Sequence, residues 1–153
     1  MTPASAMIKV LHPVAGALAM LAIASFWLST ALAELFAPAA VVVAVKTAIP
    51  WGLLVLVPAL AATGGSGLAL ARGRRGGLVG AKLRRMPFIA ANGLLVLIPS
   101  ALFLAFKARS GQFDLGFYLV QTLELAVGAT NLALLGLNMR DGLKLKGRLR
   151  RNA

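Results

Sequence analysis

Residues 10–33, VLHPVAGALAMLAIASFWLSTALA, decide the fold, because they contain no Asp, Glu, Lys or Arg. A helix that crosses the roughly 30 Å hydrocarbon core of a membrane needs about 20 apolar residues. Two further stretches, 47–71 and 86–106, contain no charged residue, and 115–139 contains only Glu124. The runs are continuous rather than alternating, which favours helices over the strands of a membrane barrel.

The four stretches predict an all-α, polytopic membrane protein, built as a four-transmembrane-helix up-down bundle within a single membrane domain that spans residues 1–153. We place the helices near 11–33, 40–62, 87–108 and 116–138, with a basic, Gly-rich loop at 63–85 and a basic tail at 139–153. The composition agrees, since 59% of the residues are hydrophobic and 13% charged, against about 45–50% and about 25% in soluble domains. The chain has no cysteine, which excludes disulfides and thiolate chemistry.

The distribution of positive charge predicts the orientation of the bundle. The chain carries 16 Lys and Arg residues against 4 Asp and Glu, for a net charge of +12. All of the basic residues except Lys46, Lys107 and Arg109 lie before the first helix, in the 63–85 loop or in the tail. Because cytoplasmic loops carry the excess of Lys and Arg, we expect both termini to be cytoplasmic in a multi-pass protein of the bacterial inner (plasma) membrane.

The basic residues of the 63–85 loop and the tail also suggest a partner. Each Lys or Arg near an anionic membrane surface contributes about 1 kcal/mol of attraction, so we expect contact with anionic lipid headgroups. We do not expect nucleic acid binding, because no aromatic side chain lies among the tail's basic residues to stack on bases. The expected lipid contacts are Arg72, Arg74, Arg75, Lys82, Arg84, Arg85, Arg140, Lys144, Lys146, Arg148, Arg150 and Arg151.

Polar residues inside the predicted helices point to the functional interior. In the fourth helix they share one face at helical spacing, which must turn away from lipid: Gln121, Glu124, Gly128, Asn131 and Asn138. Lys46 in the second helix is the candidate partner of Glu124, and Asn92 in the third is the candidate partner of Asn131. Two interpretations follow: Lys46 and Glu124 form a buried pair that fixes two helices together, or Glu124 is a proton or cation site.

The only histidine suggests a different chemistry. His12 precedes Pro13, and Gly16 follows one turn later, an arrangement that resembles a fragment of b-type membrane cytochromes. The resemblance implies haem b, with imidazole ligating iron and Gly16 admitting the porphyrin face. A second copy of the chain would supply another His12, or Met20 or Met86 would be the sixth ligand. In the alternative interpretation, His12 is a residue at the helix start, at the level of the lipid headgroups, with Pro13 in the first turn.

Three functions therefore compete. The first is a small inner-membrane protein that acts as an oligomeric or accessory component of a larger membrane complex, without catalysis of its own. The second is a b-type haem electron-transfer protein that uses His12. The third is a small transporter, or a proton or cation site, around Lys46 and Glu124. The residues favour a non-enzymatic role, because no nucleophile–base set or cluster of metal ligands is evident in the sequence.

Overall fold

Helices make up nearly all of the described chain. The computed structural model describes residues 3–71, 73 and 76–151, and side chains within 6–71, 73 and 76–147. The helices of this part are Pro3–Phe36 (α1), Ala39–Ala71 (α2), Gly77–Ala91 (α3), Ile98–Arg109 (α4) and Leu115–Arg151 (α5), with a π-helical segment at Asn92–Leu97 and no strand. Because α3, the π segment and α4 are continuous, they form one long helix.

Within the part of the chain that the structure describes, four helices are long and apolar enough to cross a membrane: Ala6–Phe36, Ala39–Ala71, Gly77–Arg109 and Leu115–Gly147. The predicted all-helical chain with four candidate spans is therefore confirmed. Short connections join these helices, so consecutive helices are antiparallel neighbours in a four-helix bundle. Large apolar side chains cover the outside of the bundle, and Trp51, Leu54 and Leu95 are 69%, 68% and 76% exposed.

The helices are longer than the sequence predicted. Most of the 63–85 segment, which we predicted to be a loop, is helical, because α2 continues to Ala71 and α3 begins at Gly77. The Thr63 and Ser66 hydroxyls donate to the carbonyls of Ala59 and Ala62 within α2, so these polar residues do not end the helix. Gly77 has a positive φ of 57°, a conformation that glycine adopts without strain.

The predicted tail is also helical. We expected the fourth helix to end near residue 138, but α5 continues to Arg151. The reason is local: Leu, Lys and Arg dominate residues 143–151, and these are strong helix formers. The extension keeps the Asp141 side chain on the helix and 1% exposed.

The third long helix departs from α geometry where it passes α5. Pro99 has no N–H and clashes with the turn before it, so a proline weakens a regular helix at this point. In the preceding turn the Ile98 N–H donates to the Gly93 carbonyl, five residues back. The wider π turn begins at Asn92, and π segments of this kind frequently occur at functional sites.

Two apolar layers hold the bundle together. One contains Ala33, Val42, Leu104, Ala108 and Phe117. The other contains Ala19, Ile23, Leu56 and Ala59. Alanines at these positions let the helix backbones approach closely, as is typical of helix packing in membranes.

Asp114 begins α5. Its Oδ1 accepts a hydrogen bond from the Phe117 N–H at 3.0 Å, which is the N-cap interaction of a helix start. Its Oδ2 accepts a hydrogen bond from Lys107 Nζ at 2.6 Å. The bond from Lys107, together with the one from Phe117, holds the pKa of Asp114 below its ordinary value.

Candidate functional site

Lys46 of α2 and Glu124 of α5 form an ion pair inside the bundle. Lys46 Nζ donates to Glu124 Oε2 at 2.7 Å, and the two side chains are 1% and 13% exposed. The pairing predicted from the sequence is confirmed. A buried ion pair adds little to the net stability of a protein. Removing one partner is strongly destabilising, because the other charge is then buried and unpaired.

Two further polar side chains lie near this pair and have buried atoms without a hydrogen-bond partner. Gln121 lies one turn before Glu124 on α5 and is 4% exposed. Its Oε1 and Nε2 atoms are both buried with no partner, and so is Oε1 of Glu34 on α1. Glu34 lines the same cleft as Val42 of α2, which lies one turn before Lys46. We call these four residues, Glu34, Lys46, Gln121 and Glu124, the polar cluster.

Sequence reasoning identified three members of the polar cluster and missed Glu34. Glu34 directly follows the predicted first helix, near 11–33, and the sequence patterns assign it no role. The available signal was that it is one of only 4 acidic residues in the chain and ends a long apolar run. A carboxylate at such a position either faces bulk water or contributes to a site in the bundle, and its buried oxygen favours the second.

The polar cluster separates two cavities. A cleft of about 320 Å³ lies toward the α1–α2 turn and is lined by Glu34, Ala37, Ala39, Val42, Phe113 and Tyr118. A smaller, mostly apolar cavity of about 70 Å³ lies further along the same helices, with Trp27, Thr30, Ile49, Glu124 and Gly128 among its lining residues. Along α2 and α5, Lys46 and Gln121 come between the two sets of lining residues. Glu34 lines the cleft and Glu124 lines the smaller cavity.

Trp27 is one of the α1 residues that line the smaller cavity. Its indole Nε1 donates to the Leu125 carbonyl at 2.9 Å, next in the chain to Glu124. A Cβ at Gly128 would lie 3.0 Å from Trp27 Cδ1, so only glycine lets the ring pack this closely on α5. The ring therefore contacts α5 at Leu125 and Gly128, one and four residues after Glu124.

The predicted asparagine pair also forms. Asn92 Nδ2 donates to Asn131 Oδ1 at 3.0 Å, and Asn131 Nδ2 donates to the Ile89 carbonyl at 3.3 Å. Asn131 is 2% exposed. The two side chains join α5 to the start of the π segment and are satisfied within the chain.

Part of the basic surface turns inward. Arg85 donates to Asp141 Oδ2 at 2.7 Å and to Asn138 Oδ1 at 3.3 Å, and Arg140 reaches Asp141 Oδ1. The sequence assigned Arg85 to lipid headgroups and gave Asp141 no role, because it placed residue 141 in a tail beyond the bundle. The continued α5 helix brings the carboxylate back against α3.

The other predicted lipid contacts differ in how exposed their side chains are. Arg84, Lys144 and Lys146 are exposed, while Lys82 is partly buried beside Gly142. The side chains that lie outside the described ones are Arg72, Arg74, Arg75, Arg148, Arg150 and Arg151.

The His12 side chain forms hydrogen bonds with α2. Its Nδ1 lies 3.0 Å from Ser66 Oγ and 3.1 Å from the Thr63 carbonyl. Because the Thr63 carbonyl can only accept, the His12 Nδ1–H is the donor, which leaves Nε2 for other contacts. The imidazole packs on Gly67, where an added Cβ would lie 3.1 Å from His12 Cε1.

The residues that the haem hypothesis names do not all lie together in the structure. The Met86 methyl group lies near His12, since both approach Gly67, whereas the Met20 methyl group lies beside Gly136 of α5. Gly16 lies near Thr63 of α2. The two methionines proposed as sixth ligands thus lie at different places in the bundle, and the described geometry gives the haem hypothesis no support.

Comparison of the chain with models of protein families, with curated proteins and with solved structures gave no match.

Proposed function

We propose that the chain is a multi-pass protein of the bacterial inner membrane, with both termini cytoplasmic, that binds a monovalent cation at the polar cluster. The proton is included among these cations. A small transporter or channel unit would use such a site. The observation that carries the proposal is the presence of buried, unpartnered polar atoms on Glu34 and Gln121 beside the Lys46–Glu124 pair.

The membrane location is supported by the surface of the bundle. Its four long helices are apolar along their length and expose large apolar side chains such as Trp51 and Leu95. A helix in a water-soluble bundle instead has a polar outer face. The orientation is supported by the excess of Lys and Arg near the α2–α3 turn and along the end of α5.

The charge of the polar cluster supports a cation as the ligand. When Glu34 and Glu124 are both ionised beside the Lys46 ammonium, the cluster carries one net negative charge. An uncompensated charge among membrane helices is costly, and one bound positive charge compensates it. Gln121 adds a carbonyl oxygen and an amide donor that have no other use in this structure. Buried polar groups without partners are exceptional in native proteins.

An oligomeric or accessory role in a larger complex stays a prediction, because a single chain does not test it. The cation site and the accessory role are compatible. Four spans alone make a narrow translocation unit, and assembly with further copies or other subunits would widen it.

The test uses Trp27 as a reporter. The chain has two tryptophans, and Trp51→Phe leaves only Trp27, which contacts α5 next to Glu124. We would titrate this variant in lipid nanodiscs with LiCl, NaCl, KCl and acid, and use MgCl₂ at matched ionic strength as the salt control. We expect a saturable change in Trp27 emission with at least one monovalent cation.

Two matched carboxylate-to-amide variants separate binding from a general salt effect. Glu34→Gln removes the net charge without touching the Lys46–Glu124 pair, so the saturable response should disappear. Asp114→Asn removes a carboxylate outside the polar cluster and keeps a good N-cap residue, so the response should persist. The proposal is wrong if no monovalent cation gives a saturable response, or if Glu34→Gln responds as the parent does.

A further inference from the structure

We infer that the cleft beside Glu34 binds an organic ammonium ion and so determines which cation the protein takes. This inference rests on the proposed function, because it names the class of cation that the polar cluster binds. The juxtaposition that carries it is a carboxylate with a buried, unpartnered oxygen in the wall of a cleft that two aromatic side chains also line.

The size of the cleft favours an organic ligand. Its volume of about 320 Å³ falls at the lower end of the range for small-molecule sites, roughly 300–1,000 Å³. A proton or a bare metal ion needs no space of this kind. Ala37, Ala39 and Val42 line the rest of the cleft with short apolar side chains, which suit alkyl groups.

The aromatic wall suits a positive charge that carries alkyl groups. Phe113 and Tyr118 both line the cleft. Phe117, which is fully buried, packs edge-on against each of them, with ring centroids 5.0 Å from Phe113 and 5.3 Å from Tyr118. The two lining rings are therefore held in place by a buried third ring. Faces of aromatic rings attract ammonium ions, and such contacts recognise quaternary ammonium ligands.

The charges around the cleft leave Glu34 as its counterion. Lys46 lies one turn beyond Val42, but its charge is matched by Glu124 at 2.7 Å. At the mouth of the bundle, Lys107 is matched by Asp114 at 2.6 Å. Glu34 has no such ion-pair partner within 4.0 Å among the described side chains. An organic cation in the cleft would meet a carboxylate on one side and aromatic rings on the other.

The test measures the binding of radiolabelled tetraethylammonium to the full chain in nanodiscs by equilibrium dialysis. We expect saturable binding that Glu34→Gln abolishes. Tyr118→Leu should weaken binding about tenfold, because it removes a cation–π contact. Tyr118→Phe keeps the ring and should bind within about twofold of the parent. Phe106→Leu changes an exposed aromatic residue outside the cleft and should bind as the parent does.

A further variant tests the cleft independently, in case Tyr118→Leu impairs folding. Ala39 is exposed at the start of α2 and lines the cleft, so Ala39→Phe fills the cleft without entering the core. We expect this variant to lose tetraethylammonium binding and to keep the elution profile and helical circular dichroism of the parent. Binding that survives in both Ala39→Phe and Glu34→Gln would place the organic cation in the lipid and overturn the inference.

The two proposals fail in different ways. If Trp27 responds to an alkali cation or to protons but tetraethylammonium does not bind, the inference about the cleft is wrong and cation binding at the polar cluster stands. If neither ligand binds, both proposals are wrong. If tetraethylammonium binds with the dependence on Glu34 and Tyr118 given above, both are supported.

Discussion

Lys46 and Glu124 show that a charged side chain inside the bundle needs a partner of opposite charge. Lys46 is 1% exposed, and its ammonium has a carboxylate at 2.7 Å. We expect Glu124→Leu alone to lower the free energy of unfolding by about 3–5 kcal/mol, because it leaves Lys46 buried and unpaired. The double variant Lys46→Met/Glu124→Leu should recover most of this loss, since an apolar pair of similar size replaces the ion pair.

This expectation is measured by reversible unfolding in bicelles, with the two single variants and the double variant compared in one cycle. A double variant as unstable as Glu124→Leu would show that the pair is not the source of the loss. The same cycle separates the structural and functional roles of the polar cluster. A double variant that folds but gives no Trp27 response to cations places the pair in the site.

Among the elements, the third long helix depends on its contact with α5. Asn92 at the start of the π segment bonds to Asn131, which also bonds to the Ile89 carbonyl. Hydrogen bonds between membrane helices contribute about 0.6 kcal/mol on average. We expect Asn92→Ala to cost about that much, and Asn131→Ala to cost more, because it breaks two bonds and leaves a gap at a buried position.

A double-variant cycle on Asn92 and Asn131 gives the coupling directly. A coupling free energy near zero would contradict the hydrogen bond between them. Thr130→Ala is the matched control on α5, since its hydroxyl is exposed and donates only to the Ala126 carbonyl. It should leave the stability nearly unchanged.

The elements also show what the sequence can predict. The four spans follow from local composition, because apolar run length is set by the thickness of a bilayer. The stripe on α5 follows from helical periodicity, which brought Gln121, Glu124 and Asn131 to one face. Both predictions depend on residues close together in the chain, where geometry is nearly fixed.

Contacts between distant residues were harder to predict. Glu34 was missed because its place in the polar cluster depends on how α1 lies against α2 and α5. Asp141 was missed because the length of α5 beyond a membrane span depends on helix propensity rather than on hydropathy. The cleft lined by Phe113 and Tyr118 requires the turn before α5, whose conformation the sequence patterns do not specify.

At the scale of the whole molecule, the remaining expectation is the direction in which the bundle lies in the membrane. The chain has no cysteine, so single cysteines can be introduced and labelled with a membrane-impermeant maleimide. Gly76 and Lys146 are exposed at one end of the bundle and Gln112 at the other. Because the positive charge favours a cytoplasmic α2–α3 turn, we expect only Gln112→Cys to be labelled in intact spheroplasts. Gly76→Cys and Lys146→Cys should react only after the membrane is opened. The reverse pattern would invert the bundle and turn the Glu34 cleft toward the cytoplasm, and labelling of all three sites in intact spheroplasts would contradict a single orientation.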